Sequence, residues 1–271
     1  MIPRVIVLTS TFLRHHFAIG CVAERCNLAG VWQEEKSFVP ERYAGGPDDE
    51  AVIRSHFAAR DAAEESAFGA HRQLRLPAGV EQRTGPPGFI NEPAEISRMA
   101  SCNPDVVLVF GTGLLRAGII GRFDGRIINL HLGLSPYYRG AGTNFWPLVN
   151  REPEFVGSTV HYLDAGIDTG PIIAHTRPGI EPRDGPHEIG NKAIVTGARM
   201  LAEAALAHAA GHVRAEPQVA KGRLYQRKDF SAAAVHTLYR NFETGMVAEY
   251  LSDRVARDER VRLVSLRGVT P

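Results

Sequence analysis

The sequence predicts an open α/β sheet, mostly parallel and flanked by helices, with a mainly helical C-terminal extension. Three observations carry this. The apolar runs "RVIVLTS", "VVLVFG" and "RIINLH" show no polar alternation, as expected of strands covered on both faces. Segments with helical spacing separate these runs, and alternating strands and helices build a parallel sheet. A hydrophobic share of 44% over 271 residues supplies a sizeable core.

The elements follow in order. Residues 4–10 form a β-branched strand. Residues 15–26 have helical spacing, with Phe17, Cys21 and Val22 inward, and 28–35 read as a second strand. Pro40, Gly45, Gly46 and Pro47 make 36–50 loop-like. An Ala-rich helix spans 48–70, its acidic start matched to the helix dipole. Residues 71–91 are irregular. A helix over 92–105 is stopped by Pro104. Then come a strand at 106–111, a short helix at 114–123 and a strand at 126–131. A helical turn at 143–150 follows, then a strand pair at 157–164 and 170–178, and a long helix within 184–212. From about 221 the tail is amphipathic, with Phe230, Val235, Leu238, Phe242 and Met246 near helical spacing. The chain divides into residues 1–215 and an extension over 216–271. An exposed apolar stripe on that extension would suit a homodimer contact or a docking face.

Charge and composition exclude several classes. A formal net charge of +1 gives no global case for nucleic acid or a membrane surface. No apolar run approaches the ~20 residues needed to cross a bilayer. The start "MIPRVIVLTS" lacks a signal-peptide pattern, so the cytoplasm is the expected compartment. Three cysteines form neither a disulfide framework nor a zinc pair and read as buried thiols. None of the eleven histidines belongs to a metal-ligand set, so no metal is expected.

One stretch demands a chemical explanation. "IINLHLGLSPYYRGAGTNFWPL" places Asn129 and His131 two residues apart in an apolar strand, hence on one face. The carboxyl ends of strands in open α/β sheets border the ligand crevice. The pair is either a satisfied core pair or a site. Downstream, "GSTVHYLDAGIDTGPIIAH" brings His161, Asp164 and Asp168. A carboxylate beside an imidazole raises the imidazole pKa, which is the expectation for His131.

These segments resemble the folate-dependent formyltransferases. The family pattern is N-x-H-P-S-L-L-P-x-[YW]-[RKP]-G, then G-x-[ST]-x-H, then [LI]-D-x-G. The likeness covers roughly residues 105–178, and His131-Leu132-Gly133 departs from the usual His-Pro-Ser. The resemblance implies a Rossmann-like catalytic domain over 1–215. It implies transfer of a formyl group from N10-formyltetrahydrofolate to an amine, with Asn129, His131 and Asp168 catalytic. The folate would lie along "GTGLLRAG", giving Gly111, Gly113, Leu114, Leu115 and Arg116, with Asp164, Ala165, Gly166 and Ile167 closing the other side. That loop equally reads as a plain strand-to-helix turn.

The acceptor is narrowed by what is missing. The first turn, "TSTFLRHHF", has no Gly to cradle a phosphate, although Ser10, Thr11 and Arg14 could meet an anion. The tail is not strongly basic, which argues against an RNA-binding appendage. A small-molecule amine is favoured, such as an amino-sugar nucleotide or a specialised metabolite. Glycinamide ribonucleotide is the alternative; a methionyl-tRNA formyltransferase-like role or a non-catalytic folate binder comes second. Tyr137, Tyr138, Arg139, Asn144 and Trp146 could line the acceptor site, or belong to a packed loop.

Overall fold

The computed structural model describes residues 2–36, 46–166, 168–219 and 222–266. The strands are β1 (Arg4–Ser10), β2 (Asn27–Glu34), β3 (Glu81–Gly85), β4 (Val106–Phe110), β5 (Ile127–Leu132), β6 (Tyr138–Gly140), β7 (Ser158–Tyr162), β8 (Ile172–Thr176) and β9 (Arg223–Tyr225). The main helices are α1 (Leu13–Arg25), α2 (Pro47–Phe68), α3 (Pro93–Ser101), α4 (Ala117–Arg122), α5 (Trp146–Val149) and α6 (Pro186–Ala209). The tail adds α7 (Ala232–Glu243), α8 (Met246–Ser252) and α9 (Arg254–Glu259).

Seven strands form one sheet in the order β3-β2-β1-β4-β5-β7-β8. The first five run parallel, and β7 and β8 are antiparallel. This is the mostly parallel, helix-flanked sheet of a Rossmann-like fold. Strand alternation divides the core in two. Val5, Val7, Ile128 and Leu130 face the side packed by α1 and α6. Ile6, Leu8, Val107, Val109 and Ile127 face the other, packed by Met99 of α3 and Ile119 of α4. Both faces are covered, so the strands read as continuous apolar runs.

Three strands lie where the sequence shows none. β3 falls in the stretch read as irregular; it is the sheet edge and alternates between half-buried and exposed residues. β6 and β9 are three residues each and pair with one another in parallel, far apart in sequence. The pairing needs close approach. A Cβ on Gly140 would lie 2.2 Å from the Tyr225 carbonyl oxygen, and one on Gly222 1.7 Å from that of Pro136. The tail thus begins with a strand and only then turns helical.

The amphipathic stripe of the tail is covered from within the chain. Leu238, Met246, Val247 and Tyr250 are buried in a third core with Leu148, Val156, Ile189 and Ala193. Phe242 packs at its edge. Asn241 fastens α7 by donating to the carbonyls of Leu148 (2.9 Å) and Val149 (2.8 Å). Cys21, Cys26 and Cys102 are buried free thiols, and burial pushes Cys21 and Cys26 up to about 11. No helix of the described residues is long and apolar enough to cross a membrane.

Leu238→Ala is expected to lower stability by about 2–5 kcal/mol, as large-to-small core substitutions do. Urea unfolding measures it, and a change below about 0.5 kcal/mol, the surface-substitution level, would show that α7 is not part of the core.

Candidate active site

β5 and β7 pair with Asn129 opposite His161 and His131 opposite Thr159. Asn129 and His161 therefore share a face, and alternation adds His131. Beyond β7 the chain makes a turn organised by Asp164, whose carboxylate accepts from the Gly166 N–H (3.0 Å) and the Thr169 hydroxyl (2.8 Å). Asp168 sits in the left-handed region at φ 51°. Such backbone is costly for a non-glycine residue and persists where its surroundings over-determine it. Here Gln218 does so, donating to the carbonyls of Asp168 (2.9 Å) and Gly170 (2.8 Å).

The turn returns the Asp168 carboxylate to the sheet. Its Oδ2 lies 3.3 Å from His131 Nδ1, and its Oδ1 lies 3.8 Å from His161 Nε2. His161 Nδ1 is 2.8 Å from the Tyr162 carbonyl oxygen, so it carries the proton. His161 Nε2 is then the acceptor for the Asn129 amide at 3.0 Å. His131 is 8% exposed, and its Nε2 has no hydrogen-bond partner among the described residues. The Gly133 backbone, at φ 144°, closes against it: a Cβ there would lie 2.5 Å from Thr143 Cβ and 3.1 Å from His131 Nε2. That close packing follows the residue pair that replaces Pro-Ser.

The electrostatics correct one expectation. Burial pushes the His131 imidazole below its ordinary value, and the opposing pull of Asp168 does not restore it. A carboxylate alone would raise it; a ring taken out of water loses more. Burial thus favours the neutral His131 ring, whose Nδ1 lies 3.3 Å from Asp168 and whose Nε2 has no partner among the described residues. Burial would raise the Asp168 carboxyl, but the His161 and His131 rings and Arg139 hold it below the usual range.

These groups open into a cleft of about 840 Å³ at the carboxyl ends of β4 and β5. Asn129, His131 and Asp168 line it, together with Gly111, Gly113, Leu114, Leu115, Asp164, Ala165 and Gly166. Arg116 does not: it is exposed and precedes α4, with its N–H on Asn91 Oδ1 at 2.7 Å. Ile167 lies outside the described residues. Arg14 and Arg139 line the cleft, and the Nε of Arg139 is buried without a partner.

The other expected acceptor residues are placed elsewhere. Ser10 is fully buried, 2.5 Å from His15 Nδ1, and Thr11 is exposed outside the cleft lining. Tyr138 is buried beneath the loop, where its hydroxyl meets Glu152, Asn150 and Arg223. Tyr137 turns its hydroxyl to the Arg262 backbone (3.1 Å). Asn144 lines an adjoining chamber instead of the cleft.

Two features escaped sequence reading. Glu34 ends β2 fully buried, and its carboxylate accepts from the N–H groups of Gly88 (2.6 Å) and Gly113 (2.5 Å). It pins the 111–113 loop over the cleft, and Lys36 adds a bond from Nζ to the Gly111 carbonyl. The signal was present: Glu34 is a polar residue closing an apolar strand, as Asn129 and His131 are. The second feature is the tail segment Leu224–Arg227, which supplies a cleft wall from far along the chain.

An amide, a neutral imidazole and a carboxylate thus meet at the strand ends of a Rossmann-like sheet, a set that can donate to an oxyanion and exchange a proton. Residues 81–205 match the family model for formyl transferase, a family whose members are enzymes that transfer formyl groups. A methionyl-tRNA formyltransferase of Aromatoleum aromaticum is 31% identical over 60% of this chain and 51% of its own length. One from Clostridioides difficile is 36% identical over 40% of this chain and 35% of its own. The chain thus spans about half the length, or less, of these curated relatives. Among solved structures, glycinamide ribonucleotide transformylase 1 of Symbiobacterium toebii is 21% identical with a TM-score of 0.54, covering 79% of this chain and 94% of that one. A Mycobacterium tuberculosis protein described as a candidate sugar N-formyltransferase is 20% identical with a TM-score of 0.55, covering 84% and 77%. These two likenesses establish the fold.

Glu34→Gln places an amide where two N–H groups need acceptors. The expected loss is about 1–3 kcal/mol, the cost of a buried unsatisfied group. Urea unfolding and faster hydrogen exchange at the Gly113 amide read it; unchanged exchange would show that the loop is held otherwise.

Proposed function

We propose that this protein transfers a formyl group from N10-formyltetrahydrofolate to the amine of a small-molecule acceptor. The observation that carries the reading is His131, which lines the cleft with Nδ1 3.3 Å from Asp168 and with a buried Nε2 that has no partner among the described residues. The cleft fits a reduced folate in character. Val109, Leu115 and Leu163 offer an apolar floor, the 111–113 and 164–166 backbones offer polar edges, and its volume lies in the small-molecule range.

The chemistry follows from the residues. The acceptor nitrogen bonds to the formyl carbon, and the carbonyl oxygen becomes an oxyanion. Asn129 has two amide protons; one is on His161 and the second is available to that oxygen. His131 Nε2 takes the proton the acceptor nitrogen must lose, and Asp168 stabilises the resulting imidazolium. The N10–carbon bond then breaks with its electron pair on N10, and His131 returns the proton there. No net charge or proton is left over.

His131→Ala and Asp168→Asn are each expected to slow single-turnover formyl transfer by at least about a hundredfold. Near-normal turnover in either would remove the assigned role. The pH profile gives a second check. The base works when neutral, and its folded pKa lies below the ordinary 6.5. Activity should therefore be retained down through pH 6.5 and lost only below it, and His131→Ala should lack that acid limb. An acid limb centred above 6.5 would overturn the neutral-base assignment.

A further inference from the structure

Beside the cleft lies a second chamber of about 440 Å³, between α2, α5, the start of α6 and the tail. Leu132, Ala141, Gln226, Arg14 and Arg227 line both spaces, so the chamber opens next to His131. Its walls are rings: His56, Phe57, Phe145, Trp146, His187 and Phe230. Phe145 and Phe230 are 5.0 Å apart, and Phe145 and Trp146 meet edge to face at 5.1 Å. Tyr239 fixes the two histidines, its hydroxyl 3.2 Å from His56 Nδ1 and 3.2 Å from His187 Nε2. Burial pushes His56 down to about 3 and lowers His187, so both are neutral rings.

Two amides line this space, and one carries a buried donor with no protein partner among the described residues. Asn191 is 8% exposed and lines the chamber from α6. Asn144 uses its oxygen to accept from the Gly157 N–H at 3.0 Å, but its Nδ2 is buried and unpartnered. Buried polar groups normally find partners, so the Asn144 Nδ2 points to a ligand. The charges are uneven. Arg14 pairs with Glu64, and Arg60 pairs with Asp61 at 2.6 Å. Arg227, at the junction with the cleft, makes no ion pair with any described residue.

We propose that this chamber is the acceptor's recognition site, and that the acceptor class is a flat-ringed amine carrying a carboxylate or a phosphate. The inference rests on the formyl-transfer reading. The ring lies among the aromatic walls, where stacked and edge-to-face contacts favour flat groups. Asn144 and Asn191 pair with its polar substituents. The anionic group meets the Arg227 guanidinium, whose planar fork suits carboxylates and phosphates. The amine passes the Leu132–Ala141 seam to His131.

Gly190 provides a direct test. It lies in α6 on the chamber wall, and a Cβ there meets nothing within 4 Å. Gly190→Leu therefore starts from open space at its Cβ and extends an apolar side chain from the chamber wall, and replacing a helical glycine favours folding. The measurement is titration calorimetry of the full chain with phenyl phosphate and with 3-phenylpropanoate, against benzyl alcohol and inorganic phosphate as the separate halves. At least one ring-plus-anion probe should bind about tenfold more tightly than either half, since joined contacts share one ordering cost. A phosphate winner or a carboxylate winner identifies the anion, and each supports the site. Gly190→Leu should weaken the winning probe at least about tenfold. The exposed Arg227→Ala should weaken it likewise while leaving benzyl alcohol unchanged. Neither probe exceeding its halves, or binding untouched by both substitutions, overturns the proposal. Binding of a 10-formyl folate analogue is measured in parallel; its absence counts against formyl transfer itself, whereas the probes read the chamber alone.

Discussion

β5 pairs with β7 in one antiparallel register, Asn129 opposite His161 and His131 opposite Thr159. A slip by one residue would turn Asn129 and His131 into the α1–α6 core and bring Ile128 and Leu130 to the cleft. The apolar residues forbid it. Ile128 and Leu130 are buried with Val160 and Ala198 on one face, and Ile127 lies in the core of the other. The same burial that stabilises the sheet thus aims the polar pair. Asp168 can only complete the site because this register holds His131 and His161 side by side.

The site's charge state is decided by competition between burial and pairing. His131 is taken out of water almost completely, and one carboxylate does not offset that. The outcome favours a base over an acid in the resting protein. Asp168 is treated in the opposite way. Less buried than His131, and flanked by two rings and Arg139, it keeps its charge. Two groups 3.3 Å apart are driven to different protonation states by their surroundings, which is the arrangement acid–base work requires.

Much of this was legible in the sequence. Unbroken apolar runs announced β1, β4 and β5, since strands covered on both faces have no solvent side to betray their period. The N-x-H pair and the "IDTGP" turn were visible as polar groups in costly places. β3, β6 and β9 were not. An edge strand and two three-residue strands carry no hydrophobic period, and their pairing is set by tertiary contacts and by small residues such as Gly140 and Gly222. The tyrosines after His131 misled because their rings suit a ligand and a core equally; Tyr138 proves to be a buried anchor for Glu152 and Arg223. The chamber was illegible for a different reason. Its walls come from α2, α5, α6 and the tail, and no local pattern joins four separate segments.

The β6–β9 pairing has a consequence for how the cleft is completed. Asn129, His131 and Asp168 all lie before residue 170, yet the wall formed by Leu224–Arg227 is set in place by β9 pairing with β6. Without that segment Asn129, His131 and Asp168 would stand in a cleft that lacks one wall. More than fifty residues of sequence separate Asp168 from this wall of the cleft.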